Sequence, residues 1–205
     1  MTDHKNDTIV AAFDFDKTIT TKDSLIVFLW YSVGMPRFLL NIVKCLPAFI
    51  AYFLKIMRRG KTKEYILKQF FGGRPYSWIL DKAAHFSQEK IPSLLLPQAM
   101  QRLQWHKEQG HRCFLVSGTL EIYLKPWAEK AGFDGVIATQ LELTPQNTIT
   151  GRLKDGNCYG PEKQRRLENI LGKRDSYTLY AYGDSRGDKE LLAMADHPFY
   201  RKMPT

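Results

Sequence analysis

Two aspartates and a threonine follow a short apolar stretch near the start of the chain. Val10–Phe13 is typical of a buried strand, and Asp14, Asp16 and Thr18 come directly after it. Residues two apart in a strand project from the same face, so both carboxylates can converge on one point. There a cation or a bound proton would relieve their repulsion. The alternative is a strand that ends in an Asp-rich turn without a chemical role.

Two further predicted strands also end in polar residues. Cys113–Val116 is followed by Ser117–Thr119, and Tyr177–Tyr182 is followed by Gly183–Asp188. The carboxyl ends of parallel strands meet at one edge of an α/β sheet, so these groups are expected to lie beside Asp14. A lysine at the start of the helix predicted between them, at position 163, completes the set.

Together these side chains contain what phosphoryl transfer to a carboxylate requires. Asp14 is the expected nucleophile, which would form an aspartyl phosphate. Asp16 is expected to protonate the leaving alcohol and then to activate water, as general acid and base in turn. The hydroxyl of Ser117 and the ammonium of Lys163 would bind phosphate oxygens, helped by backbone N–H groups near Gly118.

Mg²⁺ is the expected cofactor, because it is a hard cation that prefers oxygen ligands. Asp184, Asp14 and the backbone carbonyl of Asp16 would hold the ion. Asp188, one helical turn beyond Asp184, would orient the waters of the metal.

Strands alternate with helices along most of the chain, which predicts a doubly wound, Rossmann-like parallel sheet with right-handed crossovers. Residues 22–95 are the exception, since only helices are predicted there. We therefore expect an α/β core of residues 8–21 and 96–205 with an inserted all-helical cap of residues 22–95. A strand at Gly135–Ala138 and a separate small β-hairpin, formed by Gln140–Leu143 and Ile149–Leu153, are also predicted.

The second predicted helix of the insertion, residues 37–57, is unusually apolar. Five basic residues lie within the nine positions at its end: Lys55, Arg58, Arg59, Lys61 and Lys63. Uncharged runs here are shorter than the ~18 residues of a membrane span. A helical hairpin is therefore expected, either packed internally or lying at an anionic membrane surface, where each basic residue would contribute ~1 kcal/mol.

Composition fits a single α/β domain with an insertion. The chain has 205 residues, 44% of them hydrophobic, and a net charge of +9 that favours anionic partners. Three widely spaced cysteines predict neither disulfides nor a zinc site, and with the polar residues 1–7 they favour the cytoplasm. No nucleic-acid partner is expected, because the positive net charge is not accompanied by an aromatic base-stacking motif or a DNA-recognition helix.

Four segments resemble the motifs of the haloacid dehalogenase superfamily phosphatases, in the subfamily (IB) that includes phosphoserine phosphatase. The matching segments are Phe13–Thr18, Leu115–Thr119, Gly160–Lys163 and Tyr182–Asp188. This resemblance implies a helical cap after the first motif. It also implies phosphate ester hydrolysis and not dehalogenation, since members that cleave carbon–halogen bonds lack an acid at the place of Asp16.

The resemblance leaves the substrate open between a phosphorylated metabolite and a lipid headgroup. Asp23 stands where phosphoserine phosphatases have the glutamate that recognises the substrate amine, and it could equally be a helix N-cap. The apolar hairpin is also similar to membrane-associated relatives that dephosphorylate phosphatidylglycerophosphate, which would place the enzyme peripherally on the cytoplasmic face of the membrane. A phosphotransferase remains a further alternative.

The predicted site therefore comprises three sets of residues. They are the catalytic residues Asp14, Asp16, Ser117 and Lys163, the substrate-binding residues Thr18, Asp23, Gly118 and Thr119, and the metal-binding residues Asp14, Asp16, Asp184 and Asp188. Outside them, Arg165 and Arg166 are expected to face solvent. The histidines are expected in ordinary core or surface roles, because they lack metal-ligand spacing.

Overall fold

The computed structural model of the protein describes residues 8–204, and its centre is a six-stranded sheet. The strands are β1 (Ile9–Phe13), β2 (Arg112–Leu120), β3 (Gly135–Leu143), β4 (Ile149–Lys154), β5 (Thr178–Gly183) and β6 (His197–Tyr200). Their order is β4-β3-β2-β1-β5-β6, and every pair is parallel except β3 with β4. The predicted doubly wound α/β fold is thus confirmed, and the order reverses at β1 and β5.

Eight α-helices accompany the sheet in the described part of the chain. They are α1 (Ser24–Val33), α2 (Met35–Phe53), α3 (Arg59–Phe71), α4 (Tyr76–Glu89), α5 (Pro97–Glu108), α6 (Glu121–Ala131), α7 (Pro161–Leu171) and α8 (Lys189–Ala193). The fully described stretch between β1 and β2 contains helices and no strand of the sheet. An isolated antiparallel bridge joins Thr20 to Leu95, so the two ends of the helical segment α1–α4 lie side by side.

β1 is central because its side chains are apolar on both faces. Ala11 and Phe13 belong to one buried cluster, Val10 and Ala12 to the other, and all four are fully buried. Hydrogen bonding to β2 on one side and β5 on the other leaves no edge exposed. Asp14, the next residue, is therefore held at the carboxyl edge of a rigid strand.

The structure differs from the predicted strands in two places. Gly135–Leu143 is one continuous strand, not two, because its first half pairs parallel with β2 and its second half antiparallel with β4. β2 extends through Ser117–Thr119 to Leu120, although the register shifts between Val116 and Leu120. The predicted hairpin of β3 and β4 is present.

α2 is shorter than its predicted range of residues 37–57. It begins at Met35, after Gly34, and ends at Phe53, shortly before Lys55 takes a left-handed conformation with φ 59°. Within residues 8–204 it is the one helix long and apolar enough to cross a bilayer by length and composition, and 11% of its most apolar window is buried. One side of α2 packs on α3, while the other carries exposed apolar side chains.

Candidate active site

Asp14 starts a tight loop at the end of β1. Its N–H donates to the carbonyl of Tyr182 on β5 (2.9 Å), and the carbonyl of Phe15 accepts from three following amides. Lys17 takes a left-handed conformation (φ 62°), which turns the chain back so that the hydroxyl of Thr18 lies 3.4 Å from Asp14 Oδ2. Asp14 is buried, with 6% of the residue exposed.

Lys163 forms buried ion pairs with two carboxylates. It lies in the first turn of α7, and its Nζ donates to Asp14 Oδ1 and to Asp188 Oδ1, the latter at 2.6 Å. Burial alone would lower the pKa of Lys163, but Asp14 and Asp188 outweigh it and raise the pKa. Burial raises the pKa of Asp14 to about 6 even though Lys163 opposes that shift. The lysine is therefore a fixed cation beside the expected nucleophile.

The loop after β5 holds Asp188 in a network of its own. Asp188 Oδ2 accepts from the N–H (3.0 Å) and hydroxyl (2.8 Å) of Ser185, which caps a short 3₁₀ turn. A side chain at Gly183 would bring a Cβ within 2.5 Å of Asp188 Cβ, so this close approach needs glycine. Carboxylate oxygens of Asp14, Asp184 and Asp188 lie within 4.8 Å of one another. Burial, and then the charge of Asp188, raise the pKa of Asp184.

Asp16 lines the same cavity and contacts the start of α1. Its Oδ1 accepts from the N–H of Ser24 at 2.7 Å. Burial and the nearby charge of Asp23 raise the pKa of Asp16 to about 7. A carboxyl group with such a pKa holds and releases a proton near neutral pH, as a general acid and base must.

The segment Ser117–Thr119 borders the same cavity. The hydroxyl of Ser117 accepts from the N–H of Thr119 at 3.2 Å. The hydroxyl of Thr119 is bound to Tyr123 and lies 3.4 Å from that of Ser24, which ties β2 to α1 and α6. Thr119 therefore supports the wall of the cavity, and the Ser117 side chain is 1% exposed.

Asp23 forms the N-cap of α1. Its Oδ1 accepts from the N–H groups of Leu25 (3.0 Å) and Ile26 (3.3 Å), so the capping alternative describes its contacts here. Asp23 also borders the cavity, and its charge raises the pKa of Asp16.

Eight of the ten predicted site residues line a single cavity of about 560 Å³, and the other two are Thr18 and Asp188. Those two lie beside it and contact Asp14 directly or through Lys163. The cavity also has apolar walls from α1, α2 and α3.

Comparison with known sequences decides the family. The sequence model of the haloacid dehalogenase-like hydrolases matches residues 11–193, which is most of the chain and includes every predicted site residue. The chain belongs to this family.

Two curated relatives of this haloacid dehalogenase-like hydrolase match it over most of its length. Protein CicA of Caulobacter vibrioides is 36% identical over 193 residues, with 94% of this chain and 86% of the relative covered. The inhibition of morphological differentiation protein of Streptomyces azureus is 25% identical, with 92% and 69% covered.

Solved structures share the fold of this haloacid dehalogenase-like hydrolase. A Bordetella pertussis Tohama I protein of unknown function has a TM-score of 0.80 at 21% identity, with 95% of this chain and 90% of that chain covered. A substrate-bound phosphoserine phosphatase has a TM-score of 0.60 at 14% identity, with 93% and 84% covered. The fold is thus phosphoserine phosphatase-like.

The carboxylates of this haloacid dehalogenase-like hydrolase offer the oxygen donors that Mg²⁺ prefers. Both Asp188 oxygens already accept hydrogen bonds, from Lys163 and from Ser185. Both oxygens of Asp14 also accept hydrogen bonds, from Lys163 and Thr18, so these contacts do not distinguish Asp14 from Asp188, and all three carboxylates are candidate metal ligands.

Sequence reasoning missed Lys63 as a residue of the site. Its Nζ reaches from α3 to donate to the carbonyl of Gly118 and, at 3.3 Å, to Asn157 Oδ1. Burial lowers its pKa to about 8, although the charges of Asp16 and Asp23 oppose that shift. In the sequence, Lys63 is visible only as the last member of the basic cluster of residues 55–63, which was expected at the protein surface.

The prediction that Arg166 faces solvent is wrong. Its guanidinium donates to the backbone carbonyls of Ala138, Asp155 and Gly156, at 2.6 to 3.2 Å, and links α7 to β3 and to the chain after β4. Arg165, by contrast, is exposed and pairs with Glu162.

Proposed function

We propose that the protein is a Mg²⁺-dependent phosphatase that hydrolyses phosphate monoesters through an aspartyl phosphate on Asp14. The observation that carries this proposal is the pairing of two carboxyl groups with different surroundings at one cavity. Asp14 is ion-paired with Lys163, whereas Asp16 is bound to a backbone N–H and has a pKa near 7. Such a pair suits a nucleophile and a general acid.

Two displacements at phosphorus make up the reaction. A carboxylate oxygen of Asp14 attacks phosphorus, and the bond to the ester oxygen breaks while Asp16 donates its proton to the leaving alcohol. Asp16, now ionised, takes a proton from water, whose oxygen then displaces the Asp14 carboxylate. The products are an alcohol and inorganic phosphate, and Asp16 regains its proton.

Lys163 and Ser117 bind the phosphate oxygens in this scheme. The fixed ammonium of Lys163 lies beside the Asp14 carboxylate, where it can bind the phosphate oxygens that carry negative charge in the transition state. The buried hydroxyl of Ser117 supplies a second donor from the end of β2.

Asp14 and Asp184 would hold Mg²⁺. When bound, the ion would neutralise phosphate charge and allow two anions, carboxylate and phosphate, to approach each other. Asp188 would contribute by holding Lys163 and Ser185 in place.

The test compares Asp14→Asn with Asp81→Asn, the same chemical change at an exposed position on α4. With p-nitrophenyl phosphate and Mg²⁺, we expect D14N to lose at least about 10³-fold in kcat and D81N to match the wild type. EDTA should abolish wild-type turnover, and Mg²⁺ should restore it. A D14N protein that is folded and fully active would refute the proposal.

The aspartyl phosphate can be tested by acid quenching. Wild-type protein incubated with ³²P-labelled substrate should retain label that hydroxylamine removes, whereas D14N should retain none. Added glycerol distinguishes a phosphotransferase, which would form glycerol phosphate in preference to inorganic phosphate.

A second candidate places this activity on an anionic membrane surface, and the outer face of α2 favours it. Five side chains at helical spacing are 48% to 81% exposed there: Leu39, Val43, Leu46, Ile50 and Phe53. Residues 24–63 contain seven basic and no acidic residues. Arg59 and Lys63 line the cavity, but the other five basic residues are exposed: Arg37, Lys44, Lys55, Arg58 and Lys61. An apolar helix face with exposed cations in the same segment is complementary to anionic headgroups.

Cosedimentation with vesicles tests the second candidate. At ~0.15 M salt, vesicles with 30% phosphatidylglycerol should bind the wild type, and pure phosphatidylcholine should bind it weakly. Ile50→Asp should abolish binding, whereas Leu80→Asp on the exposed part of α4 should not. Absence of vesicle binding, or a concentration-dependent dimer that buries α2 instead, would contradict this candidate.

A further inference from the structure

The cavity at Asp14 is larger than a phosphate group requires. Its volume of about 560 Å³ lies in the range of sites that enclose drug-sized ligands. Phosphate binding by Asp14, Ser117 and Lys163 would occupy one end of it. The remaining space must therefore receive the group that is esterified to the phosphate.

The walls of this remaining space are mostly apolar. Leu29 of α1, Ile42 and Phe49 of α2, and Ile66 of α3 line it, and we call these four residues the apolar arm. Leu29 is buried, whereas the other three are half-buried and keep surface that a ligand could cover. Burying such surface against another apolar group is favourable at about 25 cal/mol per Å².

Basic groups lie near the phosphate end of the cavity, where the Nζ of Lys63 donates to the carbonyl of Gly118. Arg59 and Lys63 of α3 line the cavity there, and the guanidinium of Arg59 lies 4.4 Å from the centre of the Tyr159 ring. One cavity thus combines cations beside Gly118 with apolar side chains from α1, α2 and α3. This combination is complementary to an amphiphile with an anionic head.

We propose that the substrate is a phosphate monoester whose alcohol carries an apolar chain, and that Ile42 is a specificity-determining residue that contacts this chain. The proposal rests on the phosphatase function proposed above and names its substrate class. The chain could belong to a free amphiphile or to a lipid in a membrane. Both present the same chemistry to the cavity.

The test measures kcat/KM for ethyl, butyl, hexyl and octyl phosphate below their micelle concentrations. Each added methylene should raise kcat/KM up to about fourfold, the factor for about 0.8 kcal/mol of transfer free energy, until the arm is filled. Ile42→Asn should lower kcat/KM for octyl phosphate at least about tenfold more than it lowers kcat/KM for ethyl phosphate. Leu80→Asn, on the exposed part of α4, should change neither.

Inhibition by octylphosphonate and ethylphosphonate gives a second measurement on the wild type, independent of whether the variant folds. The octyl compound should inhibit at least about tenfold more strongly. Turnover of all four esters at equal kcat/KM, with equal inhibition by both phosphonates, would overturn the proposal and leave the phosphatase function intact. Failure to hydrolyse any phosphate ester would instead refute the phosphatase function itself.

Lysophosphatidate in phosphatidylcholine vesicles distinguishes the two sources of the chain. Turnover of vesicle-bound lysophosphatidate faster than of octyl phosphate would support the proposal with a membrane lipid as substrate. Preference for dissolved octyl phosphate would support it with a free amphiphile.

Discussion

His106 gives a prediction that depends on the fold alone. This residue of α5 is fully buried, and its Nε2 lies 2.8 Å from the hydroxyl of Tyr182. Burial lowers the pKa of His106 from 6.5 to about 3, and the cation of Arg102 and the neighbouring His111 act in the same direction. His106 is therefore neutral in the folded protein, while in the unfolded chain it is protonated below pH 6.5.

The sign and size of the effect follow from proton linkage. Below pH 6.5 the unfolded chain binds a proton that the folded protein does not, so stability is lost as pH falls. Each pH unit below 6.5 costs about 1.4 kcal/mol, so lowering the pH from 7.5 to 5 should cost about 2 kcal/mol through His106. The effect should continue down to about pH 3.

Urea unfolding of the wild type and His106→Gln at pH 7.5 and pH 5, without divalent cations, measures this difference. The variant is expected to be less stable at pH 7.5 but to lose about 2 kcal/mol less than the wild type on acidification. His85→Gln, at an exposed position on α4, removes a histidine without changing the buried site. Equal pH dependence of the wild type and His106→Gln would refute the reasoning.

Three further predictions concern the site. Lys163→Met leaves the buried carboxylates of Asp14 and Asp188 without their cation and should lower the free energy of unfolding by about 3–5 kcal/mol, measured in urea. Gly183→Ala forces a Cβ against Asp188 and should cost about 1–3 kcal/mol in the same assay. Asp16→Asn should lower kcat about 10²–10⁴-fold with an alkyl phosphate. With p-nitrophenyl phosphate, whose leaving group needs no proton, the variant should still release a first burst of p-nitrophenolate but turn over slowly afterwards, because hydrolysis of the aspartyl phosphate also needs Asp16 as base.

The fold and the approximate position of the site could be predicted from the sequence because β1 is apolar on both faces. Such a strand belongs in the middle of a parallel sheet, and that position alone puts Asp14 at the carboxyl edge. The continuous β3 could not be predicted in the same way, since its two halves pair with different neighbours in opposite directions. Local sequence does not contain that information.

The site residues contributed by distant helices were harder to predict. Lys63 reaches Gly118 only because α3 packs against β4, which brings this one side chain to the end of β2. In the sequence, its neighbours Arg58, Arg59 and Lys61 are equally basic, so Lys63 could not be singled out. The exposed face of α2 could not be predicted either. When apolar residues lie all around a helix, the sequence does not show which side a neighbouring helix covers.

The bridge between Thr20 and Leu95 has an evolutionary consequence. Backbone hydrogen bonds hold the departing and returning chain together there, from Thr21 N–H to Leu94 and from Leu96 N–H to Ile19, both at 2.8 Å. Main-chain bonds of this kind tolerate almost any side chain. Mutations and insertions in α1–α4 could thus change substrate selectivity while the reactive carboxylates stay in place. The same active site could in this way come to act on new substrates.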